Sequence, residues 1–162
     1  MGKTGRKKSS ADDGRKVVCR NKRAFHDYHI EDRIEAGLVL VGTEVKSLRE
    51  GRASLQDAYA AVEDGEAWLV HAHIGEWPHA AWTNHEPERR RKLLLRAREI
   101  RRLAIFTQQR GYTLIALSLY FNRANRAKVE LGLARGKRKY DKRETIKARD
   151  EKRDAERSAK EP

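Results

Sequence analysis

Three runs of cations are the side chains most able to act on a partner: Arg20-Asn-Lys-Arg23, Arg89-Arg-Arg-Lys92 and Gly136-Lys-Arg-Lys139. Each places several positive charges within reach of a phosphate backbone, where pairing with phosphates releases condensed counterions and drives binding. A single such run is commonly no more than a solvated surface stretch. Three of them point to RNA or DNA, and charge alone does not say which. Other chemistries find less support. His71, His73, His79 and His85 lie close together, and His71 and His73 are expected on one face of a strand, but nothing nearby completes a metal site at ligand spacing. Asp57, Glu63, Asp64 and Glu66 fall on a strand end and a turn, where they do not converge on a divalent ion as a metal-dependent nuclease requires. No phosphate-cradling glycine loop, dinucleotide fingerprint or nucleophile elbow is present. The expectation is a protein that is not an enzyme and holds no metal or cofactor. Trp68, Trp77, Trp82, Tyr112, Tyr120 and Phe121 are expected to pack in or cap a core, with a base-stacking platform as the functional alternative.

The elements that must position these residues read mostly as strands. Tyr59-Ala-Ala-Val-Glu and Glu66-Ala-Trp-Leu-Val-His-Ala-His-Ile flank Asp64-Gly65, a dipeptide suited to a type I′ hairpin because both central positions need positive φ. Tyr112 to Tyr120 is a near-continuous β-capable run. Its partner is Ala127 to Ala134, where Val129, Leu131 and Leu133 face inward and Lys128 and Glu130 outward. Tyr28–Ile34, Gly37–Gly42 and Lys92–Leu95 are further candidate strands. One clear amphipathic helix spans about Ala97 to Arg110, with Ile100, Leu103, Ala104 and Thr107 on one face and Gly111 as a left-handed stop. A short second helix covers Glu44 to Arg49. Six or so strands interrupted by one helix predict a mainly β fold, a small closed antiparallel barrel of the oligonucleotide-binding type with one to three helices.

Composition divides the 162 residues into a basic arm at 1–16, a barrel at 17–135 and a basic tail at 136–162. The arm offers nothing to bury and is expected to be disordered. The tail holds eleven Lys/Arg, seven Asp/Glu and Ile146 as its one branched aliphatic. Opposite-sign pairs such as Glu144/Lys147 and Glu156/Lys160 each stabilise a helix by only ~0.2–0.5 kcal/mol. With no apolar stripe to dock, the tail should be disordered when free and helical when an anionic surface supports it. A net charge of +13 attracts polyanions and opposes self-association, so a monomer is expected. No apolar run is long enough to span a bilayer, the N-terminus lacks the apolar segment of a secretory signal, and Cys19 is the single cysteine, which together suggest a cytoplasmic protein with no membrane partner.

The ordered segments themselves resemble the SmpB (SsrA-binding) family from Asn21 to Arg149. They are Asn21-Lys-Arg-Ala-Phe-His-Asp-Tyr28, Ile34-Glu-Ala-Gly-Leu38, Gly42-Thr-Glu-Val-Lys-Ser-Leu-Arg49, Asp64-Gly-Glu-Ala-Trp-Leu69, Arg91-Lys-Leu-Leu-Leu95, Gly111-Tyr-Thr, Ala116-Leu-Ser-Leu-Tyr120, Lys128-Val, Gly136-Lys-Arg-Lys-Tyr-Asp-Lys-Arg143 and Ile146-Lys. The resemblance implies an oligonucleotide-binding barrel that binds the tRNA-like part of transfer-messenger RNA (SsrA) and stands in for its missing anticodon arm in trans-translation. It also implies a second partner, the ribosome, whose small-subunit decoding region and empty message channel receive the tail. The RNA-facing patch it implies is Asn21, Arg23, His26, Glu35, Arg91, Lys92, Leu95 and Lys128. The tail residues it implies are Gly136, Lys137, Arg138, Tyr140, Asp141, Lys142, Arg143, Ile146 and Lys147. Glu35 is odd on an RNA face by charge: it either accepts hydrogen bonds from base amino groups or orients a neighbouring arginine. The chain departs from the family where Tyr140 replaces a common His, Phe25 a frequent Arg and Arg96 a small polar helix cap. The rival reading from the residues alone is a generic RNA-binding or ribosomal protein of the same fold.

Overall fold

The computed structural model describes residues 14–137 and 139–160. The first strand, β1 (Lys16–Arg20), leads into α1 (Lys22–Asp27) and the long β2 (Tyr28–Leu38). There follow α2 (Gly42–Arg49), β3 (Ala53–Ser54), the hairpin β4 (Tyr59–Glu63) and β5 (Glu66–Val70), then β6 (His73–Ile74) and β7 (Arg91–Leu94). The chain finishes with α3 (Ala97–Gln108), β8 (Tyr112–Phe121), β9 (Ala127–Gly136) and α4 (Lys139–Ser158). Residues 1–13 of the expected arm, Arg138, Glu161 and Pro162 lie outside the described residues.

Hydrogen-bonded neighbours run β8-β4-β5-β7-β2-β9 and return to β8, so six antiparallel strands close a ring, with β1 added along the outside edge of β8. The predicted barrel is therefore present. β8 serves three neighbours because β4 takes Leu114 and Ile115 while β1 takes the stretch from Ser118 to Phe121 on the same edge. Strand alternation sends Leu114, Leu119, Val129, Leu131, Leu133, Leu69 and Leu93 into the ring, all at most 2% exposed. Leu103 of α3, fully buried, plugs it with Ile100 and Phe106. A second, smaller cluster lies outside the ring: Ala24 of α1 packs on Ile115, Leu117 and Ala134, flanked by Tyr28 and Ile30. That cluster seats α1 on the barrel's outer wall.

The hairpin forms as its dipeptide dictates, with Asp64 at φ 51° and Gly65 at φ 73°. Elsewhere the structure corrects the expectations. The run from Glu66 to Ile74 is two strands, because His71 adopts φ 58° and breaks the pleat, so His71 and His73 do not share a strand. Tyr28–Ile34 extends unbroken to Leu38, whereas Gly37–Gly42 contributes only its first two residues to a strand. The Glu44 carboxylate accepts from the Val41 N–H at 3.1 Å and starts α2 at Gly42. The helix α3 stops at Gln108, and the positive φ of Gly111 serves the turn into β8. The helix α1 has no counterpart among the sequence expectations. Trp82 is 97% exposed, against the expectation that it packs in the core. Among the described residues no helix is long and apolar enough to cross a membrane.

Candidate nucleic-acid interface

The outer wall of the barrel can be read row by row from the strand register. One row crosses five strands: Val17, Tyr120, Lys128, Gly37 and Leu94. The adjacent row carries Arg20, Ser118, Glu130 and Glu35. Lys128 and Glu35, remote in sequence, thus share a face because β2 and β9 pair antiparallel along nearly their full length. Gly37 is small for a reason. A Cβ there would sit 3.1 Å from the Leu94 side chain and 3.6 Å from the Lys128 ammonium, so its absence lets the lysine lie across the strand.

Around Glu35 the polar groups are tightly arranged. The Tyr120 hydroxyl donates to its carboxylate, and the Arg15 guanidinium lies 3.9 Å away. Arg15 also sits over the Tyr120 ring, 4.7 Å from its centroid. Burial and the hydrogen bond to Glu35 push the Tyr120 phenol well above its ordinary value, so it stays a donor throughout the physiological range. Arg33 reaches Glu130 at 3.1 Å and lies over the Phe25 ring at 5.4 Å, which joins this face to α1.

On α1, Arg23 is exposed and pairs with Asp27 at 3.2 Å, while the His26 ring nitrogen meets the other oxygen of Asp27 at 2.8 Å. Both residues therefore stand at the surface, with Arg23 opening onto a cleft of about 460 Å³ that Asp57 and Tyr59 also line. Asn21 is different. It is 4% exposed, its amide nitrogen donates to the carbonyls of Leu55 (2.9 Å) and Ala116 (3.1 Å), and its amide oxygen accepts from Ala24 N–H at 3.2 Å. With its bonds spent inside, Asn21 caps α1 and ties it to the barrel, and so positions Arg23 and His26.

The expected run Arg91-Lys92-Leu95 is split by the pleat. Lys92 points outward, pairs with Glu66 at 3.0 Å and continues the face past Leu94. Arg91 points inward and is fully buried. It pairs with Glu44 and donates to the carbonyls of Ala72 (2.7 Å) and Pro87 (3.0 Å), which pins the 71–90 segment against α2. Burial alone would raise the Glu44 carboxyl, but hydrogen bonds from Arg89, Arg91 and the Val41 N–H outweigh it and hold the group below its ordinary range. Leu95 is half-buried against the core, and its neighbour Leu94 is the exposed leucine at 55%. Arg15, Arg33 and Leu94 are outer-face residues that sequence reasoning did not assign, whereas Tyr120, expected to pack in or cap the core, is 1% exposed beneath Arg15. Strand alternation around Lys128 and Glu130 was the available signal for Tyr120, through their pairing with β8. Nothing in the sequence marked Arg15.

The tail has its own geometry. Gly136 closes β9, and the Lys137 N–H donates to Asp27 O at 3.0 Å. The Lys137 ammonium donates to Phe25 O (3.1 Å) and Thr145 Oγ1 (2.7 Å), which lashes the root of α4 to α1. Tyr140, Asp141 and Lys142 lie in the first turn of α4. Beyond Thr145, residues 146–160 are all exposed, Ile146 and Lys147 included, with Lys147 and Glu151 3.9 Å apart. No face of that stretch packs on the barrel. Among the described residues no group of three His, Cys, Asp or Glu side chains is placed to hold a metal ion.

A family model described as SmpB protein matches residues 18–161. The chain belongs to the SmpB family. It is 62% identical over 136 residues to the SsrA-binding protein of Acidothermus cellulolyticus, covering 84% of this chain and 85% of that one. It is 57% identical over 153 residues to the SsrA-binding protein of Thermobifida fusca, covering 94% and 95%. A solved chain described as "tmRNA-SmpB: a journey to the center of the bacterial ribosome" is similar at a TM-score of 0.65 and 46% identity, covering 79% of this chain and 93% of that one. The family's barrel is thus the one built here, and the face and the projecting tail are the surfaces it presents.

Proposed function

We infer that this chain binds the tRNA-like part of transfer-messenger RNA, delivers it to stalled ribosomes and replaces the missing anticodon arm in trans-translation. The barrel's outer face, from Arg23 and His26 across Glu35 and Lys128 to Lys92, meets that RNA. Tail residues Gly136, Lys137, Arg138, Tyr140, Asp141, Lys142, Arg143, Ile146 and Lys147 serve the small-subunit decoding region and the empty message channel, and α4 firms up there on ribosomal RNA. The protein works in the cytoplasm, as a monomer, by recognition alone and without catalysis.

One observation carries the division of labour. The face is built on paired strands and a capped helix, whereas α4, among the described residues, is tied at its root and exposed throughout 146–160. A rigid reader and a separate probe follow from that contrast. Ending the chain at Lys137 keeps β9 and the Lys137–Asp27 bond. This truncation is expected to retain affinity for transfer-messenger RNA and to abolish rescue of ribosomes stalled on a message lacking a stop codon. Equal loss of both activities refutes the division.

A further inference from the structure

Glu35 and Glu130 stand directly opposite each other on β2 and β9. Like charges in that position repel and destabilise a sheet, and on a face that meets RNA they also oppose phosphate. Their presence there calls for a local task. The surrounding groups supply it: Tyr120 donates to Glu35, Arg33 pairs with Glu130 at 3.1 Å, and one guanidinium, that of Arg15, reaches both carboxylates at 3.9 and 4.0 Å. Arg15 belongs to none of the paired strands, since β1 begins at Lys16. Its guanidinium lies over the sheet against this pair of carboxylates, with the Tyr120 ring beneath it, 4.7 Å from the guanidinium carbon.

We propose that Arg15 is a phosphate-binding residue of the RNA face, and that Glu35, acting with Glu130 and Tyr120, is the positioning residue that holds its guanidinium over the sheet beside Lys128. The proposal rests on the reading that this face meets RNA. Contacts near 4 Å are long for a charge-assisted pair, whose N–H to O distance is about 2.7–2.9 Å when fully formed. The two carboxylates therefore aim Arg15 without closing a full pair with it. An approaching phosphodiester takes over the two carboxylate contacts as a bidentate partner while the ring keeps the plane of the guanidinium fixed. Arg15 is 42% exposed on its side chain, enough to be reached from solvent. Of the two tasks open to Glu35, base contact or orientation of an arginine, the arrangement points to the second.

The test measures binding of the full chain to a transcript of the tRNA-like part of transfer-messenger RNA over a range of salt concentrations. Arg15→Ala is expected to weaken binding about tenfold and to flatten the dependence of log affinity on log salt by about 0.7–0.9, one phosphate contact. Arg15→Lys restores the charge but not the planar fork, and so recovers the salt slope with only part of the affinity. Glu35→Gln keeps an acceptor for Tyr120 and loses the charge that aims Arg15. It is expected to weaken binding in the intact chain and to add little in the Arg15→Ala background. If Glu35→Gln costs as much without Arg15 as with it, Glu35 acts on RNA directly and the proposal falls. If Arg15→Ala changes nothing while Lys128→Ala weakens binding, the proposal falls and the RNA face stands. If Lys128→Ala is also silent, the reading of the face fails as well.

Discussion

Arg91 and Lys92 are consecutive on β7, and the pleat sends their side chains to opposite sides of the barrel wall. Lys92 makes a half-exposed pair with Glu66, of the kind worth at most about 1 kcal/mol. Arg91 is sealed inside with Glu44, where removing one partner leaves an uncompensated buried charge. Arg91→Ala should therefore lower stability in urea by about 3–5 kcal/mol, against within about 1 kcal/mol for Lys92→Ala. In RNA binding the order should invert once folding is intact, since Lys92 alone of the two faces outward. The same buried pair sets an acid limit. The Glu44 carboxyl lies below its ordinary value of 4.5 when folded, so its contribution is present above that value and lost as pH falls through it toward the folded value. Unfolding free energy should stay level from neutral pH down to about 5 and decline below about 4.5, with a shallower decline in Glu44→Gln. Cys19 is of no use as a reactive group: burial pushes its thiol up to about 11, leaving it neutral and inert at physiological pH.

At the scale of elements, α1 and α4 show how differently a short and a long helix are held. The six residues of α1 could not persist alone. They are stabilised by the Asn21 cap and by Ala24 in the outer apolar cluster. The twenty residues of α4 have length, but among the described residues their support is the Lys137 and Thr145 tether at the root, and 146–160 are exposed. A peptide of residues 136–162 should show little helix by far-UV circular dichroism in dilute buffer. It should gain helix when a decoding-region RNA fragment is added, because the fragment supplies the missing stabilisation. A peptide already fully helical in buffer would remove the case for ordering on the ribosome.

For the whole molecule, charge and closure act together. Six strands that return on themselves leave few free edges, so a chain with a net charge of +13 can present its outer wall without inviting strand addition. The excess charge speeds encounter with any RNA, and on the proposed reading the paired groups of the outer face decide which RNA stays. Binding to the tRNA-like transcript should therefore weaken steeply with salt, and Arg23→Ala combined with Lys128→Ala should lower the slope of log affinity against log salt by roughly 1.5. Competition with bulk tRNA at physiological salt should leave the transcript bound. Displacement by an equal mass of tRNA would indicate a general RNA binder.

Local physics was enough for much of this protein. The alternation of Val129, Leu131 and Leu133 with Lys128 and Glu130, the Asp64-Gly65 turn and the face of α3 are set by neighbours in the chain, and so were legible from it. So were the class of partner, from charge, and the family, from ordered segments. What lay beyond the sequence depended on contacts between distant residues. The antiparallel run of β2 against β9 put Glu35 beside Glu130 and brought Tyr120 and Arg15 to them, and the inward turn of Arg91 followed from Glu44 waiting 47 positions earlier. Asn21 was assigned to the RNA patch from the resemblance, and only the fold shows its amide spent on Leu55 and Ala116. A side chain's type and its place on a strand are local properties, whereas its hydrogen-bond partner is whichever group the closed barrel brings within 3 Å.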